Sequence, residues 1–67
     1  MKIKMVGLYG LNAHAYYRKL GRFGYDLVND KKYATEFADK AECEKILAYK
    51  ESYCKQYNAK DMVIVDD

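Results

Sequence analysis

A small α+β domain, with an antiparallel sheet of three to five strands and one long helix packed on one face, is the fold this sequence predicts. Three observations predict it. Apolar and polar residues alternate through Lys2-Ile3-Lys4-Met5 and Gly24-Tyr25-Asp26-Leu27-Val28, the period of strands with one buried face. Between about residues 40 and 57 the apolar residues recur at helical spacing. Met62-Val63-Ile64-Val65 is a short run rich in β-branched residues near the end. The 67 residues make one domain, 1–67. A chain this short buries only about 60% of the surface its unfolded form exposes, so its core is thin.

Taken in order, Lys2 to Tyr9 reads as a strand with Ile3 and Met5 facing away from Lys2 and Lys4. From Asn12 to Leu20 two readings compete. Ala13, Tyr16, Tyr17 and Leu20 have helical spacing, with Asn12 placed to cap and Gly21 to stop. Paired tyrosines favour a strand instead, which would join the next one through Gly21. Gly24 to Val28 and Lys32 to Phe37 then read as a hairpin turned by Asn29-Asp30-Lys31. The helix over about 40–57 has Asp39 as its cap, with Glu42 three residues later completing a capping-box pattern. Cys43, Ile46, Leu47, Tyr53, Cys54 and Tyr57 fall within one apolar stripe of about 120°. Glu51 and Lys55 form an i,i+4 pair on the opposite face, and Asn58 is a left-handed stop. The final strand, about 62–65, is expected to be covered on both faces.

Composition removes several function classes. Cys43 and Cys54 lie eleven residues apart on one predicted helix, about 16 Å along its axis, and a disulfide needs Cα atoms within about 7 Å. Reduced thiols, with no run after Met1 resembling a signal peptide, point to the cytoplasm. No stretch approaches the roughly 20 apolar residues of a membrane span. His14 is the only histidine and no Cys/His spacing suits zinc, so no metal or cofactor is expected. The pair Asp66–Asp67 reads as a solvated tail. His14 has no suitably spaced serine or cysteine, and no glycine-rich phosphate loop precedes a helix, so neither an enzyme nor a small-molecule substrate is expected. With disulfide and metal both missing, a small domain is left with self-association or a partner as its support.

Charge divides the chain. Up to Tyr25 it carries Lys2, Lys4, Arg18, Lys19 and Arg22 and no acid, whereas the remainder has seven lysines against ten acids. A basic half invites an anionic partner; alternatively its lysines only discourage edge-to-edge aggregation. Between Tyr16 and Tyr25 the cations interleave with aromatic rings. Tyr16, Tyr17, Arg18, Lys19 and Arg22, with Phe23 beside them, therefore make a candidate single-stranded nucleic-acid or acidic-protein contact. The alternative for Phe23 and Tyr25 is core packing, since they alternate with Leu27 on one face of a strand. Tyr16 and Tyr17 cannot both point inward on a strand. On the helix, Tyr49, Tyr53 and Tyr57 form a ridge at i, i+4 and i+8, with Lys50 inside the apolar stripe. Tyrosine ridges of this kind serve as interface hot spots or as covers for a small core, and Lys50 as a partner contact or a snorkelling stem.

Gly24-Tyr25-Asp26-Leu27-Val28, Ala34-Thr35-Glu36-Phe37 and Asp39-Lys40-Ala41-Glu42-Cys43-Glu44-Lys45-Ile46 together resemble short accessory proteins of bacteriophages and mobile elements. In those a Gly-Tyr-x-Leu-Val hairpin leads to an Ala-x-x-Phe strand and a Lys-x-Glu-Ala helix, with alanine where Cys43 stands. The resemblance covers about a third of the chain and carries over no functional residue. It favours the strand reading of 12–20. It also implies a phage accessory protein, several of which are inhibitors of host defence, anti-CRISPR proteins among them. Together with the tyrosine ridge and the small catalysis-free chain, this points to an inhibitor that binds a host or defence-system protein, such as a nuclease, by occlusion. A single-stranded nucleic-acid binder is the alternative, and a structural homodimer the third class.

Overall fold

Alternation in the first half produces strands where it is cleanest. The computed structural model describes residues 1–66, so Asp67 of the expected tail lies outside the described residues. Strands β1 (Lys2–Leu8), β2 (Ala13–Leu20), β3 (Gly24–Val28) and β4 (Asp61–Val65) form one sheet in the order β3-β2-β1-β4. Every neighbouring pair is antiparallel. Segment 13–20 is thus a strand, and the α+β class with an antiparallel sheet is as expected.

One sheet face carries Ile3, Met5, Ala15, Tyr17, Tyr25, Leu27, Met62 and Ile64, and the helices cover it. Ile3, Met5, Met62 and Cys43 are the most completely buried side chains, each of the first three contributing about 1.5–3 kcal/mol. Leu8 joins them because the register shifts between Val6 and Leu8, at Gly7 with φ +68°. This bulge turns Leu8 onto the face of Met5. A Cβ on Gly7 would lie 2.6 Å from the Lys60 side chain.

Three expectations are corrected. The single helix over 40–57 is two short ones, α1 (Lys40–Leu47) and α2 (Lys50–Tyr57). After Leu47 the next helical positions for the stripe are Lys50 and Glu51, which cannot continue it. The chain therefore tightens, with the Tyr49 N–H donating to the Ile46 carbonyl at 3.0 Å, and restarts so that Tyr53, Cys54 and Tyr57 return to the sheet. The predicted second arm of a hairpin, 32–37, is not a strand: Lys31–Tyr33 is a 3-10 turn, and β3 pairs with β2 instead. Ladder-like bonds remain at Thr35, from its N–H to the Tyr17 carbonyl at 3.2 Å and from the Lys19 N–H to its hydroxyl at 2.7 Å, and at Phe37, whose N–H donates to the Met1 carbonyl at 2.7 Å. Finally, β4 is not fully covered: Met62 is buried under the helices, whereas Ile64 on that face and Val63 and Val65 on the other are half-buried.

The helix ends obey the local signals. Asp39 accepts from the Glu42 N–H at 3.0 Å, the Glu42 carboxylate accepts from the Ala38 N–H at 3.0 Å, and Asn58 stops α2 at φ 47°. The i,i+4 ion pair found is Lys40–Glu44, at 3.8 Å; among the described residues Glu51 and Lys55 form none. Cys43 and Cys54 sit on different helices, both reduced. Among the described residues no helix is long and apolar enough to cross a membrane.

Candidate functional site

The predicted tyrosine ridge divides. Tyr53 and Tyr57 face the sheet, where they join an aromatic cluster around Tyr25. The Tyr25 ring stacks on Tyr17 at 5.2 Å and meets Tyr53 edge-on at 5.1 Å. Its hydroxyl donates to the Gln56 amide oxygen at 3.0 Å and accepts from the Tyr57 hydroxyl at 3.1 Å. Burial, followed by the Tyr53 hydroxyl, pushes Tyr17 up to about 12. Burial and then the Tyr57 hydroxyl likewise raise Tyr25. Tyr49 alone is exposed, at the joint between the helices. Lys50 is tied to the Asp61 carboxylate at 2.8 Å, which with the Met62 N–H holds that carboxyl below its usual range.

The basic and aromatic set of 16–22 is also split, because a strand sends alternate residues to opposite faces. Tyr17 is buried, 6% exposed, beneath the helices. Tyr16 lies on the open face between Val28 and Lys4, edge-on to His14 at 6.2 Å. Arg18, also on the open face, grips Asp26 through two hydrogen bonds, Nε to Oδ1 at 2.7 Å and Nη2 to Oδ2. The guanidinium lowers the Asp26 carboxyl and is raised in return. Lys19 points the other way, into a cleft of about 380 Å³ shared with Thr35, Phe37, Glu42, Lys45 and Ile46. Lys2 is buried and donates from Nζ to the Lys31 carbonyl at 2.8 Å.

What the fold does assemble is a projecting tip. Residues 21–23 connect β2 to β3, with Gly21 at φ +55°. Phe23 is 94% exposed and Leu20 is 45% exposed, with Arg22 exposed between them. Alternation places Phe23 on the core face with Tyr25 and Leu27; only the latter two lie there, because β3 starts at Gly24. The signal that could have found this is the pair Gly21 and Gly24 bracketing Arg22-Phe23, which marks a turn rather than a strand interior. Below the tip the hairpin is clamped on both faces, by the Arg18–Asp26 pair and by the Tyr17–Tyr25 stack.

No family model, curated protein or solved structure matches the chain.

The remaining reactive groups are subdued. Burial pushes both the Cys43 and the Cys54 thiols up, away from the nucleophilic thiolate. Among the described residues no cluster of three His, Cys, Asp or Glu is placed to hold a metal ion.

Proposed function

We propose that this chain is a non-catalytic protein-binding module that inhibits or modulates its partner by occlusion, and that the β2–β3 tip is the part it inserts. The observation that carries this reading is Phe23, an aromatic side chain left 94% exposed beside Arg22 on a clamped hairpin. Burying such a ring against a partner gains about 1.5–3 kcal/mol. Aromatic and arginine side chains dominate interface hot spots, and a tip already held rigid loses little ordering entropy on binding. The resemblance of residues 24–46 to phage and mobile-element accessory proteins supplies the partner class: a host or defence-system protein in the bacterial cytoplasm, a nuclease among the candidates.

Single-stranded nucleic-acid binding through Tyr16, Tyr17, Arg18, Lys19 and Arg22 is less well supported. Those residues are divided between two faces and a turn, and Asp26 already occupies Arg18.

Affinity capture from bacterial lysate tests the proposal. The tagged chain should retain one protein in stoichiometric amount. Phe23→Ala should lose at least tenfold of it, as expected for a hot spot worth more than about 1.4 kcal/mol, with an unchanged circular dichroism spectrum. Nucleic acid co-purifying without a protein, or full retention by Phe23→Ala, would count against it.

A further inference from the structure

The two edges of the sheet are not treated alike. In β2 the Tyr17 carbonyl and the Lys19 N–H bond to Thr35, on the side away from β3. The ladder with β3 is therefore made by Tyr16, Arg18 and Leu20 with Val28, Asp26 and Gly24. Main-chain groups alternate sides along a strand. The N–H and C=O of Tyr25 and of Leu27 consequently point outward, and among the described residues no hydrogen bond reaches them. On β4, by contrast, the outward N–H of Met62 is taken by the Asp61 carboxylate at 2.7 Å. Asp66 adds negative charge at one end of that edge, and the Lys50–Asp61 ion pair sits at the other. Native sheets blunt exposed edges with such charges, prolines or bulges. The edge of β3 has no proline and no bulge, and its one charged residue, Asp26, is already paired with Arg18.

We infer that the β3 edge is a self-association surface, and that its occupant is β3 of a second copy of this chain, paired antiparallel about a twofold axis. The backbone is self-complementary there. In the centred register Tyr25 pairs with Leu27 of the second copy and Leu27 with its Tyr25, so all the outward donors and acceptors of both chains are satisfied. The apolar parts of Tyr25 and Leu27 then meet on the helix-covered face. On the open face Asp26 comes opposite Asp26, a juxtaposition that ordinarily repels. Here each carboxylate is already gripped by an Arg18 guanidinium, so the four groups form a charge-balanced row. A twofold contact closes on itself, whereas pairing β3 with the blunted β4 edge would propagate into an open filament. The two Phe23 tips would end at opposite ends of the shared ladder, which leaves them separate from one another. The inference therefore stands or falls independently of what the tips bind.

The chain is short enough for chemical synthesis, which permits a test at one atom. The wild-type chain should sediment at twice its 7.8 kDa mass at micromolar to millimolar concentration. N-methylation of the Leu27 amide removes an outward donor while keeping its side chain, and should return the mass to that of a single chain with unchanged circular dichroism. N-methylation of the Ile64 amide, outward on the opposite edge, should leave the doubled mass intact. A wild-type chain that stays at 7.8 kDa throughout overturns the inference and leaves this edge for a strand from another protein. So does a dimer that survives methylation at Leu27, or one that is lost only on methylation at Ile64.

Discussion

Tyr16 and Tyr17 are the same residue type at adjacent positions, and the fold gives them opposite fates. Tyr17 is 6% exposed, stacked on Tyr25 at 5.2 Å and edge-on to Tyr53 at 6.0 Å. Truncating a buried aromatic side chain to alanine costs about 3–5 kcal/mol. A 67-residue domain is stable by about 3–10 kcal/mol. Tyr17→Ala should therefore remove about a third or more of that stability, and all of it at the lower end of the range. Tyr16 is half-buried on the open face, so Tyr16→Ala forfeits roughly half of a full aromatic burial, about 1 kcal/mol. With a urea dependence of about 1 kcal/mol per molar, that is a midpoint shift of about 1 M. Tyr17→Phe keeps the ring and loses only a hydroxyl contact, at about 1 kcal/mol, which keeps the position measurable if alanine abolishes folding. Urea titration followed by far-ultraviolet circular dichroism makes the comparison. Equal costs at the two positions, or a larger cost at Tyr16, would refute the assignment of faces.

Gly7→Ala should cost about 1–2 kcal/mol in the same assay, because alanine resists a positive φ and the Lys60 stem must move aside. Asp39→Ala should cost about 1 kcal/mol through loss of the α1 cap. At high pH the fold should fail as Tyr17 and Tyr25 ionise. Their folded values lie above the ordinary 10, so the neutral rings stabilise fully below that pH, and this stabilisation is lost as pH rises toward about 12. Tyrosinate absorbance and circular dichroism should change together there, and ionisation of all tyrosines without loss of structure would contradict it. At low pH the sign reverses for Asp26 and Asp61. Their lowered values mean that stability is held above the ordinary carboxylate range and lost as pH falls through their folded values.

Elements governed by local chemistry are legible in the sequence: the alternation of β1, the Asp39 cap, the Asn58 stop and the β-branched β4. Elements decided by competition between distant segments are not. Asn29-Asp30-Lys31 announces a break in the chain, but the segment after the break is a link rather than a hairpin arm. That segment crosses to the far side of β2, where Thr35 bonds to Tyr17 and Lys19 and Phe37 to Met1, and so leaves the outer edge of β3 unpaired. Lys50 is visible as a polar intruder in the helical stripe, and it marks the place where the helix breaks. Its partner Asp61 is eleven residues away and joins it only once β4 is in place. For the candidate site, the basic and aromatic composition of 16–25 is evident, yet strand geometry scatters those side chains over two faces. Alternation assigns Phe23 to the core, and the turn between Gly21 and Gly24 puts it outside.

The reading of Phe23 as the inserted contact is tested most directly by a photo-crosslinking amino acid, p-benzoylphenylalanine, placed at position 23 of the chain expressed in bacterial cells, with Ser52 on the exposed face of α2 as the control position. Irradiation should join the chain to one host protein from position 23 and to none from position 52. Adducts of the same protein from both positions, adducts with nucleic acid alone, or a product from position 23 containing only further copies of this chain would contradict it.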